Sequence, residues 1–432
     1  MNEEIKERLE QIRRGELPDG YKRTKAGIIP EVWKVRQFAD VFQFISNNSY
    51  SRALMTDSGG EIRNIHYGDV LIKYHAVIDC AANDLPFLTN SEKIRQDMFL
   101  KSGDIIIADT AEDLTAGKAV EITNVGNHQV VSGLHTMACR PAENLFAPKW
   151  LGYYMDSAVY HSQLIPLICG AKVSSISKGE IINTVIAIPP LTAQQRIADI
   201  LSAQDSVIEL KERLVTEKLR QKKYLMQQLL TGKQRLPEFH RKWKEKQLGD
   251  IFDTFSGGTP NRKCPEYFHG DIPWIKSGEL NQGNIYFTEE RITKEGLENS
   301  SAKMVSKNTL LIAMYGATAG VMAFTRIDAA INQAILAFVP KTPIDILFIK
   351  ESISNQIDMA INQLTQGGQP NFNASIIQSL SIRIPELAEQ RKISEIFSCA
   401  NREIELLRAS LEQEKRKKKA LSQLLLTGIV RV

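Results

Sequence analysis

One stretch of this chain is written twice. Residues 188–232 and 384–428 align without a gap at an offset of 196, and nineteen of the 45 positions are identical. Chance would give about three, taking roughly 6% identity from average composition. One copy opens Ile188-Pro189-Pro190-Leu191-Thr192-Ala193-Gln194-Gln195-Arg196, the other Ile384-Pro385-Glu386-Leu387-Ala388-Glu389-Gln390-Arg391-Lys392. They close as Gln227-Gln228-Leu229-Leu230-Thr231-Gly232 and Gln423-Leu424-Leu425-Leu426-Thr427-Gly428. A weaker echo lies upstream of each: Pro30-Glu31-Val32-Trp33 leads to Asp40-Val41-Phe42, and Pro237-Glu238-Phe239 with Trp243 leads to Asp250-Ile251-Phe252. Two repeats are too few for a solenoid, which needs about three. The pattern predicts a pseudo-dimer within one chain: variable module, long helix, variable module, long helix. Such an isologous arrangement suits a partner that is itself two-fold symmetric.

Proline opens each copy, where its fixed φ and missing N–H do no harm, and glycine closes each at a C′ position. Neither residue occurs from Leu191 to Thr231 or from Glu386 to Thr427, so one helix is expected over each stretch. In the second, Ile393, Phe397, Ala400, Ile404, Leu407 and Leu411 alternate steps of four and three, a coiled-coil seam. The first keeps Ile197, Leu201, Ile208 and Val215 on that seam, and Ile200, Val207, Leu210 and Leu214 widen its apolar stripe. A helix of about 40 residues is about 60 Å long. One bare stripe does not stand alone in water, so the two helices are expected to pack on each other. The basic runs Lys218, Arg220, Lys222, Lys223 and 415–419 read either as solvated faces or as contacts to phosphate or an acidic partner.

Composition excludes several classes. At 432 residues the chain has room for two or three cores. With 43% hydrophobic and 24% charged residues it is not a disordered chain. The net charge is +4, and residues 191–235 and 387–432 each carry +4, so the rest carries −4. DNA binding by the modules would therefore rest on local patches, not bulk charge, and tight DNA binding by this chain alone is disfavoured. Five scattered cysteines, Cys80, Cys139, Cys169, Cys264 and Cys399, never spaced C-x-x-C, read as reduced thiols of a cytoplasmic protein. The N-terminal segment is charged from Glu3 onward with no apolar h-region, so no signal peptide is expected. No apolar run approaches 18 residues, so no membrane span is expected. There is no Walker A motif, no G-x-G-x-x-G opening a βαβ unit and no H-E-x-x-H. Ile188-Pro189-Pro190-Leu191 superficially resembles the Asn/Asp-Pro-Pro-aromatic motif of amino-methyltransferases, but lacks its polar and aromatic members and reads as a helix start. Glu112, Asp113 and Lys118 do not have convincing nuclease spacing.

The modules, from about Ile29 to Ile188 and from about Leu236 to Ile384, mix short β-like runs with turns. Val70-Leu71-Ile72, Asp104 to Ala108 and Val130-Val131 are expected strands in the first; Leu310-Leu311-Ile312 and Ala334 to Phe338 in the second. Between them lie small, polar loops: Ser256-Gly257-Gly258-Thr259-Pro260, Tyr315-Gly316-Ala317-Thr318-Ala319-Gly320 and Gln366-Gly367-Gly368-Gln369-Pro370-Asn371. Exposed backbone N–H groups with short hydroxyl and amide side chains suit phosphate oxygens and base edges.

The repeat, the helix sequences and the module openings together resemble the specificity (S) subunit of type I restriction–modification enzymes, over nearly the whole chain from about Leu17. The pieces that carry the resemblance are Ile188-Pro189-Pro190-Leu191 with Gln194-Gln195-Arg196-Ile197, Leu229-Leu230-Thr231-Gly232-Lys233, Phe255-Ser256-Gly257-Gly258-Thr259-Pro260 and Gly270-Asp271-Ile272-Pro273-Trp274-Ile275. To these are added Ala313-Met314-Tyr315-Gly316-Ala317-Thr318 and Asn332-Gln333-Ala334. Two departures are Pro385-Glu386 in place of Pro-Pro and the charged segment Met1 to Arg14.

The resemblance implies an α+β chain: two α/β target-recognition domains separated by two long antiparallel coiled-coil helices in an internal pseudo-two-fold repeat. The corresponding boundaries are an extension over 1–29, recognition domains over 30–188 and 236–384, and long helices over 189–235 and 385–432. It also implies a non-catalytic subunit whose domains each read one half of a split site in double-stranded DNA. The helices would set the spacing and dock two methyltransferase (modification) subunits, and restriction (translocase and nuclease) subunits would join through that complex. S-adenosylmethionine, ATP and Mg²⁺ would belong to those partners, with none bound by this chain. Candidate DNA contacts, chosen by residue type and loop context, are Ser49, Tyr50, Arg52, His66, Tyr67, Lys73, Tyr74, Thr110, Glu112 and Lys172 in module one. In module two they are Thr259, Arg262, Trp274, Lys276, Ser277, Tyr315, Thr318, Gln333, Gln369 and Asn371. The alternatives are a coiled-coil scaffold whose modules bind protein, and an autonomous nuclease or methyltransferase, which the missing motifs disfavour.

Overall fold

The computed structural model describes residues 3–142, 144–170, 172–364 and 372–432, without the side chains of 358–364. It forms two compact units, Met1–Glu212 with Ser410–Val432, and Arg213–Ala409. Each unit thus holds one module and a part of both long helices.

In the first unit a five-stranded sheet runs, edge to edge, Phe42–Ile45, Thr136–Pro141, Ile105–Ala108, Ala119–Thr123, Ala76–Asp79. All pairings are antiparallel except the last, which is parallel. Ile105, Ile106, Ile107 and Ala108 are all fully buried, which is why this strand reads as an unbroken apolar run. A second sheet pairs Gln129–Ser132 in parallel with Ile62–Ile65. The helix Trp150–Met155 lies against the first sheet at Gly152, where a Cβ would stand 2.1 Å from the Ala76 carbonyl oxygen. Glu121 accepts hydrogen bonds from the N–H groups of Lys149 and Gly152 at the start of that helix, and burial pushes its carboxyl up to about 7.

The second unit repeats this plan: Phe252–Ser256, Ile335–Pro340, Leu310–Ala313, Met322–Thr325, Asn284–Ile285, again antiparallel until a final parallel pair. Its second sheet pairs Phe268–Ile275 in parallel with Ala329–Ile331. In both units a two-stranded ribbon, Lys34–Gln37 with Val185–Ile188 and Lys244–Gln247 with Ser381–Ile384, feeds a long helix. The modules are therefore duplicates, not merely the helices.

The helices span Leu191–Leu229 and Leu387–Leu426. Within the first unit Gln204 and Lys211 both bond Glu414, Lys418 pairs with Asp205 at 2.6 Å and Lys415 with Glu212 at 2.8 Å. Within the second, Lys218 pairs with Glu403 at 2.7 Å. As one number rises the other falls, so the helices are antiparallel. Ile393, Phe397, Ile404, Ile197, Leu201 and Val215 are buried on the seam. The wider stripe expected on the first helix does not pack: Ile200, Val207, Leu210 and Leu214 are 37–64% exposed. The basic runs divide: Lys218, Lys222, Lys415 and Lys418 form ion pairs to acidic residues of this chain, while Arg220, Lys223, Arg416, Lys417 and Lys419 are exposed.

Each helix start is held by the same repeated glutamine. Gln194 accepts from the Ala147 N–H at 2.8 Å and donates to the Pro189 carbonyl at 2.9 Å. Gln390 accepts from Asp345 and donates to Pro385, both at 2.9 Å. The helix ends match as well. Gly232 packs on Trp243, and Gly428 packs on Trp33 and Pro30, both at positive φ. The charged N-terminal stretch forms the helix Glu3–Arg13, whose Arg8 donates to the Ile429 carbonyl while Tyr21 Oη donates to that of Gly428.

One expected strand is absent. Asp69–Lys73 forms a π-helical turn. Val70 is fully buried and Ile72 is 83% exposed, although residues two apart in a strand share a face. The other four expected strands are present.

Candidate nucleic-acid interface

In module one, four loops meet at the ends of the sheets. The segment after Phe42–Ile45 is tied to the turn after Gln129–Ser132 by Asn48, which is buried. Its Nδ2 donates to the Ser132 carbonyl and to Asn64 Oδ1, both at 2.8 Å. Arg52, on the same segment, pairs with Asp69 at 2.6 Å, just beyond the strand Ile62–Ile65. His66 sits at that strand's end with its ring 4.5 Å from Tyr67, and Tyr67 meets His135 edge-on at 5.3 Å. His135 lies 3.5 Å from Asp109, and Thr110 donates to Asp109 at 2.7 Å. Burial lowers the His66 pKa, which favours the neutral ring. Nδ1 accepts from the Gly68 N–H, which leaves Nε2 as the donor.

The structure thus gathers Arg52, His66, Tyr67 and Thr110. Ser49 is exposed beside them, in a cleft of about 290 Å³ that also takes in Lys93 and Arg95. Glu112 and Lys172 are exposed. Lys172 precedes Ser174–Ser175, which pairs with Thr110–Ala111. Tyr50 and Tyr74 are only 8% and 5% exposed and their rings pack in hydrophobic clusters, while the Tyr50 hydroxyl accepts from the Lys93 N–H in the same cleft as Ser49. Lys73 and Tyr74 both donate to the Asp84 carbonyl, and the Tyr74 backbone N–H donates to the Asp69 carbonyl.

Module two builds the same place from different residues. Gly257 and Gly258 donate to the carbonyls of Asn332 and Ile331, and Thr259 donates to Gln333 at 2.6 Å. Arg262 lies over the rings of Phe268 and Trp274, at 4.8 and 5.2 Å, and makes two hydrogen bonds to Glu290. Lys276 bonds Glu290 at 2.9 Å and Glu289 at 3.1 Å. Hydrogen bonding from Arg262, with Lys276 behind it, holds the Glu290 carboxyl below its ordinary range. Arg262, Phe268, Glu289 and Glu290 border a cleft of about 560 Å³ with His269 and Arg291. Ser277 is half-buried in the turn after Lys276, Tyr315 is exposed, and Thr318 is half-buried. Trp274 is 1% exposed and donates to the Gly258 carbonyl, so its indole is corrected from a contact residue to the floor under Arg262. Gln369 and Asn371 lie outside the described residues.

The sequence reading missed the carboxylates Asp69, Asp109 and Glu290, and His135. These groups act on the donors. The local signal was slight: Asp69 stands three residues beyond His66.

A twice-built module whose loops gather arginine, lysine, histidine and amide groups, carried on paired helices, defines a two-headed class of DNA reader. The chain belongs to the family described as type I restriction modification DNA specificity domain, which matches residues 30–219 and again 240–415. A type I restriction enzyme MjaX specificity subunit of Methanocaldococcus jannaschii is 26% identical over 435 residues, covering 96% of this chain and 97% of the relative. The EcoR124I/EcoR124II specificity subunit of Escherichia coli is 26% identical over 272 residues, 61% of this chain and 60% of its own. Among solved structures, a type I restriction-modification S subunit from M. genitalium superposes with a TM-score of 0.53 at 14% identity, covering 95% of this chain and 97% of that one. A chain from a structural study of complex assembly and conformational transition of the type I R-M system gives 0.59 at 17%, covering 93% and 99%. These two likenesses concern the fold. The family leaves the protein-binding scaffold without support.

Proposed function

We propose that this chain is the non-catalytic, sequence-reading subunit of a type I restriction–modification complex in the cytoplasm, the compartment that keeps its five free cysteines reduced. Each module reads one half of a bipartite duplex target. The observation that carries this reading is the recurrence of one loop cluster, with a carboxylate-held arginine, in both modules. Two methyltransferase subunits dock on the helices, and restriction subunits join through them. S-adenosylmethionine, ATP and Mg²⁺ serve those partners. Among the described residues no helix is long and apolar enough to cross a membrane.

The test is methylation mapping by a reconstituted complex with and without this chain; site preference that does not depend on the chain would defeat the reading. The helices' part can be tested separately. Four residues inserted before Thr231 add about 6 Å of rise and about 40° of rotation. The expected result is a changed spacer with unchanged half-site sequences, read by sequencing the methylated adenines. The same half-sites at the same spacing would refute a spacing role.

The unpacked stripe on the first helix supports the docking. Ile200, Val207 and Leu214 recur every seven residues, and Leu210, 64% exposed, lies beside them. A contiguous apolar stripe on a soluble surface marks a partner site. The double variant Val207→Glu, Leu210→Glu is expected to reduce co-purification of the methyltransferase subunit at least tenfold, about 1.4 kcal/mol, while helix content by circular dichroism stays unchanged. Undiminished co-purification would place the partner elsewhere.

A further inference from the structure

The two readers correspond residue by residue. Phe42 and Phe252 open equivalent strands at an offset of 210, and Ile65 and Ile275 close equivalent strands at the same offset. Between these anchors the offset places Arg52 against Arg262, and just past them His66 against Lys276. Both arginine side chains are 55% exposed. Both are gripped by a carboxylate: Asp69 at 2.6 Å in one module, Glu290 at 2.7 Å in the other. The two carboxylates are not equivalent in sequence. Asp69 follows His66, whereas Glu290 sits on the neighbouring strand Glu290–Ile292. The modules therefore reach the same arrangement by different routes.

We propose that Arg52 and Arg262 are the corresponding base-reading groups of the two modules, and that Asp69 and Glu290 are their positioning residues. The inference rests on the functional reading above and deepens it. Three physical points favour base edges over phosphate. A guanidinium beside a carboxylate keeps its charge, but the pair as a whole is close to neutral, so it attracts phosphate weakly. Its planar fork of five donors survives, and the carboxylate uses only one side of it. The grip also removes rotamer freedom before the duplex arrives, which lowers the entropic cost of a directional contact. In module two the rings of Phe268 and Trp274 fix the guanidinium plane further. A planar fork held in this way matches the O6 and N7 acceptors of guanine in the major groove. Each half-site is thus assigned one G·C pair read by its module's arginine.

The test uses the complex of this chain with its methyltransferase subunits, acting on a randomised duplex library read by sequencing. Arg52→Ala is expected to flatten the guanine preference at one position of one half-site by about 5- to 150-fold. Arg262→Ala should do the same at one position of the other half-site. Asp69→Asn and Glu290→Gln should flatten the same two positions less, and Asp69→Glu should retain the preference. A purely structural ion pair would move the thermal midpoint and leave base preference alone. Arg52→Lys and Arg262→Lys keep the charge, lose the fork, and should lose the preference even where the alanine variants fold poorly. Uniform loss across all sequences with a shallower salt dependence would make both residues phosphate contacts and overturn the proposal, as would unchanged preference at every position. A wild-type complex whose preference ignores this chain would defeat the functional reading itself, and this inference with it.

Discussion

Replacing Glu389 by alanine is expected to lower the stability of the Arg213–Ala409 unit by about 3–5 kcal/mol. The carboxylate is fully buried at the start of the second long helix. It accepts two hydrogen bonds from Arg235, both at 2.8 Å, and a third from Trp243 Nε1 at 3.1 Å. The net worth of such a pair against an apolar replacement of the whole group is small, because both charges were taken out of water to form it. Removing one partner is different. Alanine leaves the guanidinium, 28% exposed, without its counter-ion, and leaves the indole N–H without an acceptor. Calorimetric unfolding of the full chain should show a transition lowered by about 6–20 °C. Glu389→Gln keeps one acceptor oxygen and should lose less. A loss under about 1 kcal/mol would put this pair with solvent-screened surface bridges.

Glu389 also shows where sequence reasoning stops. It lies inside the duplicated segment, yet its counterpart is Ala193, so the repeat gave no reason to single it out. The repeated glutamines Gln194 and Gln390 were visible as identities, but their capping of the preceding turn needed coordinates. The long helices were legible because proline, glycine and heptad spacing act locally along the chain. The duplication of the modules was hardly legible, since sheet pairing tolerates exchange of residues that keep the buried face. Loop lengths also differ: the offset falls from 210 at Phe42 and Phe252 to 199 at Thr136 and Ile335, and to 196 at Ile188 and Ile384. Val70-Leu71-Ile72 failed as a strand for a tertiary reason. The run follows a strand directly and must turn, with Asp69 held by Arg52 at its start. At the site, residue type could not distinguish an aromatic ring on the surface from one beneath it. Trp274 and Tyr74 are of the second kind.

The glycine pair in Ser256-Gly257-Gly258-Thr259-Pro260 supplies the sharpest steric prediction. A Cβ on Gly257 would stand 1.8 Å from the Ile331 carbonyl oxygen, and one on Gly258 would stand 2.6 Å from Ser301 atoms. Neither neighbour is the free end of a flexible side chain; Ile331 is backbone in a buried strand. The loop therefore has to lift in Gly257→Ala. Lifting breaks the bonds from Gly257 and Gly258 to the Asn332 and Ile331 carbonyls, and pulls Thr259 from Gln333. It also withdraws the Gly258 carbonyl from the Trp274 indole, which is left buried without an acceptor. Overpacking costs about 1–3 kcal/mol, and the orphaned donor about 1–3 kcal/mol more. The same displacement moves Arg262 off Glu290 and Trp274. Discrimination at the half-site read by module two should accordingly fall at least tenfold, while the other half-site keeps its preference. Gly278→Ala is the matched control: nothing lies within 4 Å of its Cβ position, so it should fold and discriminate as the unaltered chain does. Should Gly257→Ala discriminate as well as Gly278→Ala, the close approach of this loop to Ile331 has no part in recognition.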